Sequence, residues 1–502
     1  MSTIVYDSRS DAENAADAQH EAISSAPSIA VLPFVDMSES GDQEYFGDGI
    51  AEEILYVLSR SPDLSVVGRT SSFRFKEEAI DVRAIGAALN VENIVTGSVR
   101  RDGQRLRISA QLVRTADGIN LWAETYDRDA TDVFQVQDDI ANAIAVQLQA
   151  SLETGAKSLA NKRSQNVLAY EQFLKGNAEF GKRGDGLLQA ISSYENAVSI
   201  DPDFAAAWAN LAVTYATLPM WLDTHGTGKT SAAVIATKSE YAANRAIELD
   251  PGLAASQHAL GVILRERRQW ARSEAAFAKA LAIAPRAPEI LEDYIQLLGM
   301  VGRWNEAQKL AIRLTEIDSL TGVYQFRLAI TEWNTGNYDA AIAAFERMQE
   351  VSPETADNTL IELIDLIAEA HGIEAASSFL HTCTDCQARY PGLTRQVIKS
   401  AKAESVLEPQ PLLSGELEGA DYLLLVIGGR DALLTSLERR AADGNLPVVA
   451  DNTRSMAMIR ATQRYKQLVI DLDLDRYWRE HGWPSFCKPL DSSDFECGDD
   501  AL

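Results

Sequence analysis

Two pairs of cysteines are the residues of this chain best suited to metal or redox chemistry. Two residues separate Cys383 from Cys386, and nine separate Cys487 from Cys497, in a chain with four cysteines in all. A structural zinc site usually combines two closely spaced pairs, and the second pair here is widely spaced. Metal binding and redox activity stay open as alternatives. We expect a structural role instead, with reduced thiols and no disulfide in a reducing compartment.

Carboxylates near the amino terminus are the second candidate for chemistry. Asp36, Asp42 and Asp48 follow an apolar run, and paired aspartates beyond a strand can hold magnesium. No base, nucleophile and orienting group can be assembled around them, and the six histidines are scattered. We expect Asp48 and Gly49 to cap a helix that starts near Ile50. The sequence predicts no catalytic residue, no cofactor-binding residue and no metal ligand, and so no enzyme.

A phosphate-binding loop is suggested by residues 226–230, which read GTGKT. That loop needs a glycine five positions before the second glycine, where this chain has Asp223, and it needs a preceding strand. We expect an exposed insertion loop here.

Arginines cluster beside a predicted strand ribbon, a shape that can enter the major groove of DNA. The formal net charge of −27 argues against nucleic-acid binding, because phosphate contacts need an excess of lysine and arginine. We expect a solvated sheet face, or contact with an acidic partner such as the chain's own helices. The five residues are Arg100, Arg101, Arg105, Arg107 and Arg114.

Composition predicts a folded, multidomain, cytoplasmic protein. Of its 502 residues 46% are hydrophobic and 24% charged, which is ordinary for globular domains. Residues 1–27 lack the apolar core of a signal peptide, and no apolar run reaches the ~18 residues of a membrane helix. We read residues 1–27 as a disordered leader and expect no contact with membranes.

Residues 28–150 predict a small mixed α/β domain. An apolar run ends at Pro33, helical periodicity follows, and a second short strand lies at 64–67. Two alternating stretches flank Asp102-Gly103, a dipeptide favoured in two-residue hairpin turns. A third strand and a closing helix at 133–148 complete a largely antiparallel sheet with helices packed on it.

A 34-residue period dominates the middle of the chain. Trp270, Trp304 and Tyr338 recur at this interval, and prolines and phenylalanines keep the same interval. This period, with small residues where two helices cross, indicates tetratricopeptide helical hairpins. We predict about six repeats over 165–390, with an insertion near 219–235.

The amino-terminal domain resembles the TolB-like domain of bacterial signalling proteins. The resemblance rests on 29–34 (IAVLPF), 44–51 (EYFGDGIA), 69–73 (RTSSF), 97–103 (GSVRRDG) and 121–128 (LWAETYDR). In that family the domain precedes tetratricopeptide repeats and usually follows a winged-helix or nucleotide cyclase effector. The leader is too short for either effector, so the resemblance implies a family member without one.

The predicted fold is therefore an α+β multidomain protein: a TolB-like domain, an all-α tetratricopeptide solenoid, and a helical carboxy-terminal cap over 391–502 with an acidic tail. A solenoid of this kind offers a concave face to other proteins. Repeat register makes four first-helix residues candidates for partner binding: Asn210, Gln257, Arg265 and Arg327.

The sequence thus predicts a non-enzymatic adaptor in bacterial signalling that binds a protein partner in the repeat groove. The alternative is a component of a transcriptional or adenylate cyclase pathway whose effector domain is on another chain. Expected partners are proteins, a regulator or a cyclase among them, with a second copy of the chain as a further candidate.

Overall fold

The computed structural model describes most of the chain between residues 26 and 498. Within that range it leaves out 40, 42, 60, 62, 77–80, 104, 130–131, 149–165, 183, 220–231, 354–358, 390–393, 395–396, 399–420, 443–447 and 493. The GTGKT stretch and Asp42 therefore lie outside the described residues.

The described chain opens with a layer of strands and helices. The strands are β1 (Ser28–Val31), β2 (Val35–Asp36), β3 (Ser65–Val66), β4 (Asn93–Asp102), β5 (Arg105–Arg114) and β6 (Asn120–Asp129). The helices are α1 (Glu44–Ser59), α2 (Arg69–Phe73), α3 (Val82–Leu89) and α4 (Val133–Gln147).

The sheet is mixed, and most of its paired residues are antiparallel, as predicted. Its order is β3-β1-β4-β5-β6, with β2 also pairing with β4, and every pairing of β1 and β2 is parallel. The long β4–β5 and β5–β6 pairings are antiparallel. Asp102 pairs with Arg105, which places Asp102 in the strand and Gly103, at φ +55°, in the turn. The predicted hairpin exists, with its turn one residue later than expected.

Helix α1 corrects the predicted capping role of Asp48 and Gly49. The helix begins at Glu44, so both residues lie inside it. A Cβ at position 47 would lie 2.3 Å from the carbonyl oxygen of Phe34, and one at position 49 would overlap Leu174. The glycines permit close packing on both sides of α1, a requirement that the local sequence does not reveal.

Within the described residues, twelve helices follow as six consecutive pairs. They are α5 (Val167–Lys182), α6 (Gly186–Ile200), α7 (Ala205–Thr217), α8 (Ala232–Leu249), α9 (Ala254–Glu266), α10 (Trp270–Ile283), α11 (Pro288–Met300), α12 (Trp304–Ile317), α13 (Gly322–Asn334), α14 (Tyr338–Val351), α15 (Leu360–His371) and α16 (Ile373–Thr382). Small residues allow the two helices of a pair to cross closely. At Gly261, for example, a Cβ would lie 2.9 Å from the ring of Phe277.

The carboxy-terminal elements are short helices and a hairpin. They are α17 (Thr384–Arg389), α18 (Asp421–Ala442), α19 (Arg454–Ala457), α20 (Gln463–Asp471), α21 (Leu474–His481), β7 (Cys487–Pro489) and β8 (Phe495–Cys497).

The chain divides into two compact units inside the third helical pair. The first contains Met1–Leu260 and Lys279–Pro288, and the second contains Gly261–Ala278 and Glu289–Leu502. Among the described helices, none combines the length and the apolar character that crossing a bilayer would require.

Candidate partner-binding faces of the repeats

The first helices of the second unit carry a strip of paired polar side chains. The guanidinium of Arg327 on α13 donates from Nε to Glu292 Oε1 on α11 at 2.8 Å, and Gln296 Nε2 donates to the same oxygen at 2.7 Å. These side chains are half-buried, as are Phe326 and Ile330 beside them. The strip therefore combines fixed charges with partly exposed apolar surface.

Arg265 lies at the buried end of this strip. Its Nη1 contacts Asp293 Oδ1 at 2.7 Å, and only 8% of its side chain is exposed. Burial opposes the charge of Arg265, but Asp293 and Glu266 outweigh that effect and raise its pKa. Glu292, which pairs with Arg327, also acts electrostatically on Arg265, so the two arginines lie near the same pair of carboxylates. Arg265 supports the strip rather than lining its surface.

Asn210 and Gln257 belong to the first unit, and both bond within the chain. Gln257 is buried, and its Nε2 donates to the carbonyl oxygen of Pro251 at 2.7 Å. Asn210 is half-buried and donates to Asn177 Oδ1 at 3.0 Å. The same oxygen accepts the hydroxyl of Tyr194. Of the four predicted residues, Arg327 and Asn210 keep partial exposure.

A second face of the repeats carries the carboxy-terminal elements. We define the turn edge as the ends of the first helices, the turns that follow them and the first turns of the second helices in the second unit, together with Asp365 within α15. Its members that bond or pack against residues 421–498 are Arg268, Trp270, Glu274, Val301, Gly302, Arg303, Trp304, Asn334, Tyr338, Asp365 and Glu369.

Three consecutive repeats bond the backbone of alternate residues along one short stretch. Residues 448–453 are neither helix nor strand. Trp304 Nε1 donates to the carbonyl oxygen of Ala450 at 2.9 Å. The backbone N–H of Asn452 donates to Asn334 Oδ1 at 2.9 Å, and that of Arg454 donates to Glu369 Oε1 at 2.9 Å. The turn edge thus bonds the main chain of this non-regular stretch and of the first residue of α19.

Further along the chain, aromatic residues make the same kind of bond. Trp270 Nε1 donates to the carbonyl oxygen of Leu472 at 2.8 Å, and Trp478 Nε1 donates to that of Val301 at 2.9 Å. The hydroxyl of Tyr477 donates to Glu274 Oε2 at 2.7 Å, and burial raises the pKa of that hydroxyl. The indole bonds are buried, so they exclude competition from water.

Carboxyl groups at and beside the turn edge have raised pKa values. Burial raises the pKa of Asp365 well above its usual range, although the carboxylate accepts the N–H groups of Tyr422 and Leu423. Burial likewise raises the pKa of Asp451 to about 7 and that of Glu362 to about 7. Each of these groups holds its proton to a higher pH in the folded chain than in the unfolded one.

Both cysteine pairs are joined as disulfides, which corrects the expectation of reduced thiols. Cys383 pairs with Cys386 beside the start of α17, and Cys487 pairs with Cys497 directly across the β7–β8 hairpin. Sequence spacing could not show that the second pair faces across one hairpin. No cluster of three or more metal-ligating side chains occurs in the described part of the chain.

The remaining candidates occupy structural positions. Asp36 accepts the N–H groups of Ser38 and Gln43, and Asp48 pairs with Lys76 at 2.6 Å. Each member of the arginine cluster bonds inside the chain. Arg100 donates to the carbonyl oxygen of Met37, and Arg101 pairs with Glu171. Arg105 and Arg107 both pair with Asp127, and Arg114 pairs with Asp117. The contact of Arg101 with Glu171 on α5 matches the predicted alternative of an acidic partner within the chain.

The periodic aromatics of the repeats have a role that sequence reasoning missed. We interpreted Trp270, Trp304 and Tyr338 as markers of the repeat period. In the structure each begins a second helix on the turn edge, and the two indoles bond carboxy-terminal carbonyl groups. Their shared position in the repeat was the one available sign of a common role. The carbonyl groups that accept their hydrogen bonds are distant in sequence, and nothing in the local sequence identifies them.

Comparison with known proteins identifies a repeat family in one part of the chain. Residues 324–355, which include most of α13 and all of α14, match the family model described as "Tetratricopeptide repeat". A protein of Rhizobium meliloti (strain 1021) named "Putative adenylate cyclase 3" is 38% identical over 196 residues. The match covers 37% of this chain and 32% of that protein, so the chain spans about a third of its relative's length.

Solved structures with helical repeats overlap parts of the chain. PilW, titled a widely conserved type IV pilus biogenesis factor, is 21% identical with a TM-score of 0.37, covering 47% of this chain and all of PilW. A thermophilic TPR protein of Thermus thermophilus is 14% identical with a TM-score of 0.32, covering 38% of this chain and 95% of its own. Residues 324–355 are a tetratricopeptide repeat, in a run of helical hairpins that follows a small mixed sheet.

Proposed function

We propose that this chain is a non-enzymatic adaptor whose repeats bind a protein partner along the first-helix strip of the second unit. The observation that carries the proposal is the bonding of Ala450, Asn452 and Arg454 by three consecutive repeats, because it exemplifies recognition of polypeptide backbone by these repeats. The turn edge is filled by the chain itself. We therefore place the partner on the strip formed by Glu292, Gln296 and Arg327, which is partly exposed among the described residues.

A signalling role is part of the same proposal. Residues 28–150 resemble a TolB-like domain, and the relative named as an adenylate cyclase shares 38% identity over part of this chain. We infer that the partner belongs to a regulatory pathway, a transcriptional regulator or a cyclase among the candidates. A cyclase activity of the chain itself is the rival. Incubating the pure protein with ATP and Mn²⁺ should form no cyclic AMP, and measurable product would favour the rival.

The partner proposal is tested by affinity capture from the native lysate with three forms of the tagged full chain. Arg327→Glu reverses a charge that is 21% exposed on the first-helix strip. Arg347→Glu reverses a charge on the second helix α14, where Arg347 pairs with the nearby Glu350. A protein retained by wild type and by Arg347→Glu, and lost by Arg327→Glu, supports the proposal. Equal retention by all three forms would contradict it.

Arg265→Glu is unsuitable as the test variant, although the sequence suggested it. Only 8% of the Arg265 side chain is exposed, against 21% of that of Arg327, so reversing the charge of Arg265 would place two carboxylates together where water screens them least. Loss of binding in that variant would report unfolding as readily as lost contact.

A further inference from the structure

A cavity of about 550 Å³ lies in the first unit between the sheet domain and the first repeat helix. Its lining is Gln43, Tyr45, Arg101, Glu171, Lys175, Ala178 and Glu179. Four of these residues lie on α5 at positions 171, 175, 178 and 179, which is one face of a helix. Cavities of this volume are typical of small-molecule sites.

The packing around α5 fixes the walls of this cavity. Leu174, on the next face of the helix, lies against Gly49 of α1, and the hydroxyl of Tyr170 accepts a hydrogen bond from Gln137 of α4. Helix α5 is therefore held by two helices of the amino-terminal sheet domain, α1 and α4. The cavity is bounded by elements that the core already positions, so a ligand would not need to order them.

Two cationic side chains, Arg101 and Lys175, line the cavity, and each has N–H groups without an acceptor among the described residues. Arg101 donates from Nη1 to Glu171 at 2.6 Å and to Gln43 at 3.4 Å, and from Nε to the carbonyl oxygen of Gly103. A guanidinium has five N–H groups, and Nη2 of Arg101 has no acceptor among the described residues. The guanidinium is thus anchored with one edge unused.

Lys175 is the second cation. Its Nζ lies 4.8 Å from the centroid of the Tyr45 ring, and the described residues offer it no carboxylate within 4 Å. The two lining carboxylates are already paired: Glu171 with Arg101, and Glu179 with Lys182 at 2.7 Å. The four charged lining side chains sum to zero, but because Glu179 pairs with Lys182 outside the lining, Lys175 is left without a carboxylate partner among the described residues.

We propose that this cavity binds a small organic oxyanion, a carboxylate or a phosphate ester, through Lys175 and the free edge of Arg101. Lys175 supplies a charge-assisted hydrogen bond, and the fixed guanidinium of Arg101 presents two N–H groups with planar geometry. The ring of Tyr45 covers the apolar part of the ligand. Because Arg101 belongs to β4 and Lys175 to α5, the ligand would touch both the sheet domain and the first repeat helix.

Isothermal titration calorimetry on the full chain tests this proposal. The probes are succinate and inorganic phosphate at matched ionic strength, with succinamide as the uncharged counterpart of succinate. We expect saturable binding of at least one anion and none of succinamide. Binding of phosphate alone assigns the site to phosphate groups, and binding of succinate alone assigns it to carboxylates.

Substitutions locate the binding in the cavity. Lys175→Met removes the charge and keeps the stem, and should weaken binding at least tenfold, whereas Lys175→Arg should retain it. Lys279→Met removes an exposed lysine of α10 and should change nothing. The proposal is overturned if neither anion binds wild type, if succinamide binds as well as succinate, or if Lys175→Met and wild type bind equally while both remain folded by circular dichroism.

Discussion

The indole nitrogen of Trp304 donates a buried 2.9 Å hydrogen bond to the carbonyl oxygen of Ala450, 146 residues away in sequence. The absence of a side chain at Gly302 permits this contact, because a Cβ at position 302 would lie only 3.1 Å from the Cβ of Ala450 and would crowd it. A repeat residue and a loop residue are thereby joined at a site that water does not reach. This contact makes the carboxy-terminal elements an integral part of the second unit.

Removing the indole donor should therefore destabilise the protein. Trp304→Phe keeps an aromatic ring but leaves the Ala450 carbonyl buried without a donor, and should lower the free energy of unfolding by about 1 to 3 kcal/mol. Trp208→Phe is the matched control, because its indole bonds the carbonyl oxygen of Pro202 at an exposed position. Urea titration of both variants measures the difference. Equal losses would show that burial of the Trp304 bond contributes nothing.

Stability of the second unit should fall as pH rises through neutrality. Asp451 and Glu362 have folded pKa values of about 7, above their unfolded values, so the folded chain holds protons that the unfolded chain has released. Their contribution to stability is fully present below the unfolded pKa values and is lost as pH rises through about 7. Between pH 6 and pH 8 we expect a loss of about 1 to 3 kcal/mol, at the low end because both side chains keep some solvent contact.

Asp451→Asn isolates one of these groups. The amide can still accept the N–H of Thr453, as Asp451 Oδ1 does at 2.8 Å, but it does not titrate. Urea midpoints between pH 6 and pH 8 should therefore vary less in this variant than in wild type. A wild-type midpoint that rises with pH, or an unchanged slope in the variant, would refute the assignment.

Removing only one partner of the buried ion pair between Arg265 and Asp293 should strongly destabilise the protein. Arg265→Met removes the cation and leaves the half-buried carboxylate of Asp293 uncompensated, which should lower the free energy of unfolding by about 3 kcal/mol. Arg347→Met breaks the exposed pair with Glu350 and should change it by less than about 0.5 kcal/mol. Thermal melts at one salt concentration compare the two variants, and similar melting temperatures would contradict the buried pairing.

The hairpin disulfide should stabilise the carboxy terminus. Cys487→Ser combined with Cys497→Ser opens a loop with a sequence separation of 10 and should cost about 2 to 3 kcal/mol. Cys383→Ser with Cys386→Ser opens a shorter loop, with a separation of 3, and should cost less. Melting temperatures with and without dithiothreitol measure both effects. The expectation fails if dithiothreitol lowers the melting temperature of wild type no more than that of the Cys487→Ser/Cys497→Ser variant.

Local periodicity accounts for the elements that the sequence predicted well. The 34-residue interval of Trp270 and Trp304 predicts helical pairs, and residues 324–355 match a tetratricopeptide repeat. Alternating polarity likewise predicts β5, where Arg105 and Arg107 are exposed and Leu106 is buried. These features depend on residues close in sequence, so a single sequence carries them.

Contacts between distant residues account for what the sequence missed. Nothing near Trp304 indicates that its indole bonds Ala450, and nothing near Arg265 indicates that Asp293 buries it. The repeat register predicted which residues belong to the first helices. It could not predict that Arg327 is partly exposed while Arg265 is buried. The partner-binding role of Asn210, Gln257, Arg265 and Arg327 stays a prediction, and Arg327 is the residue on which we base the test.

Hydrogen exchange of the full chain, with and without the captured partner, tests the central claim most directly. We predict that the partner slows exchange of amides in α11 and α13, the first helices that carry Glu292 and Arg327. Amides in the second helices α12 and α14 should be unaffected. Protection confined to the sheet domain, or to the second helices, would contradict recognition by the first-helix strip.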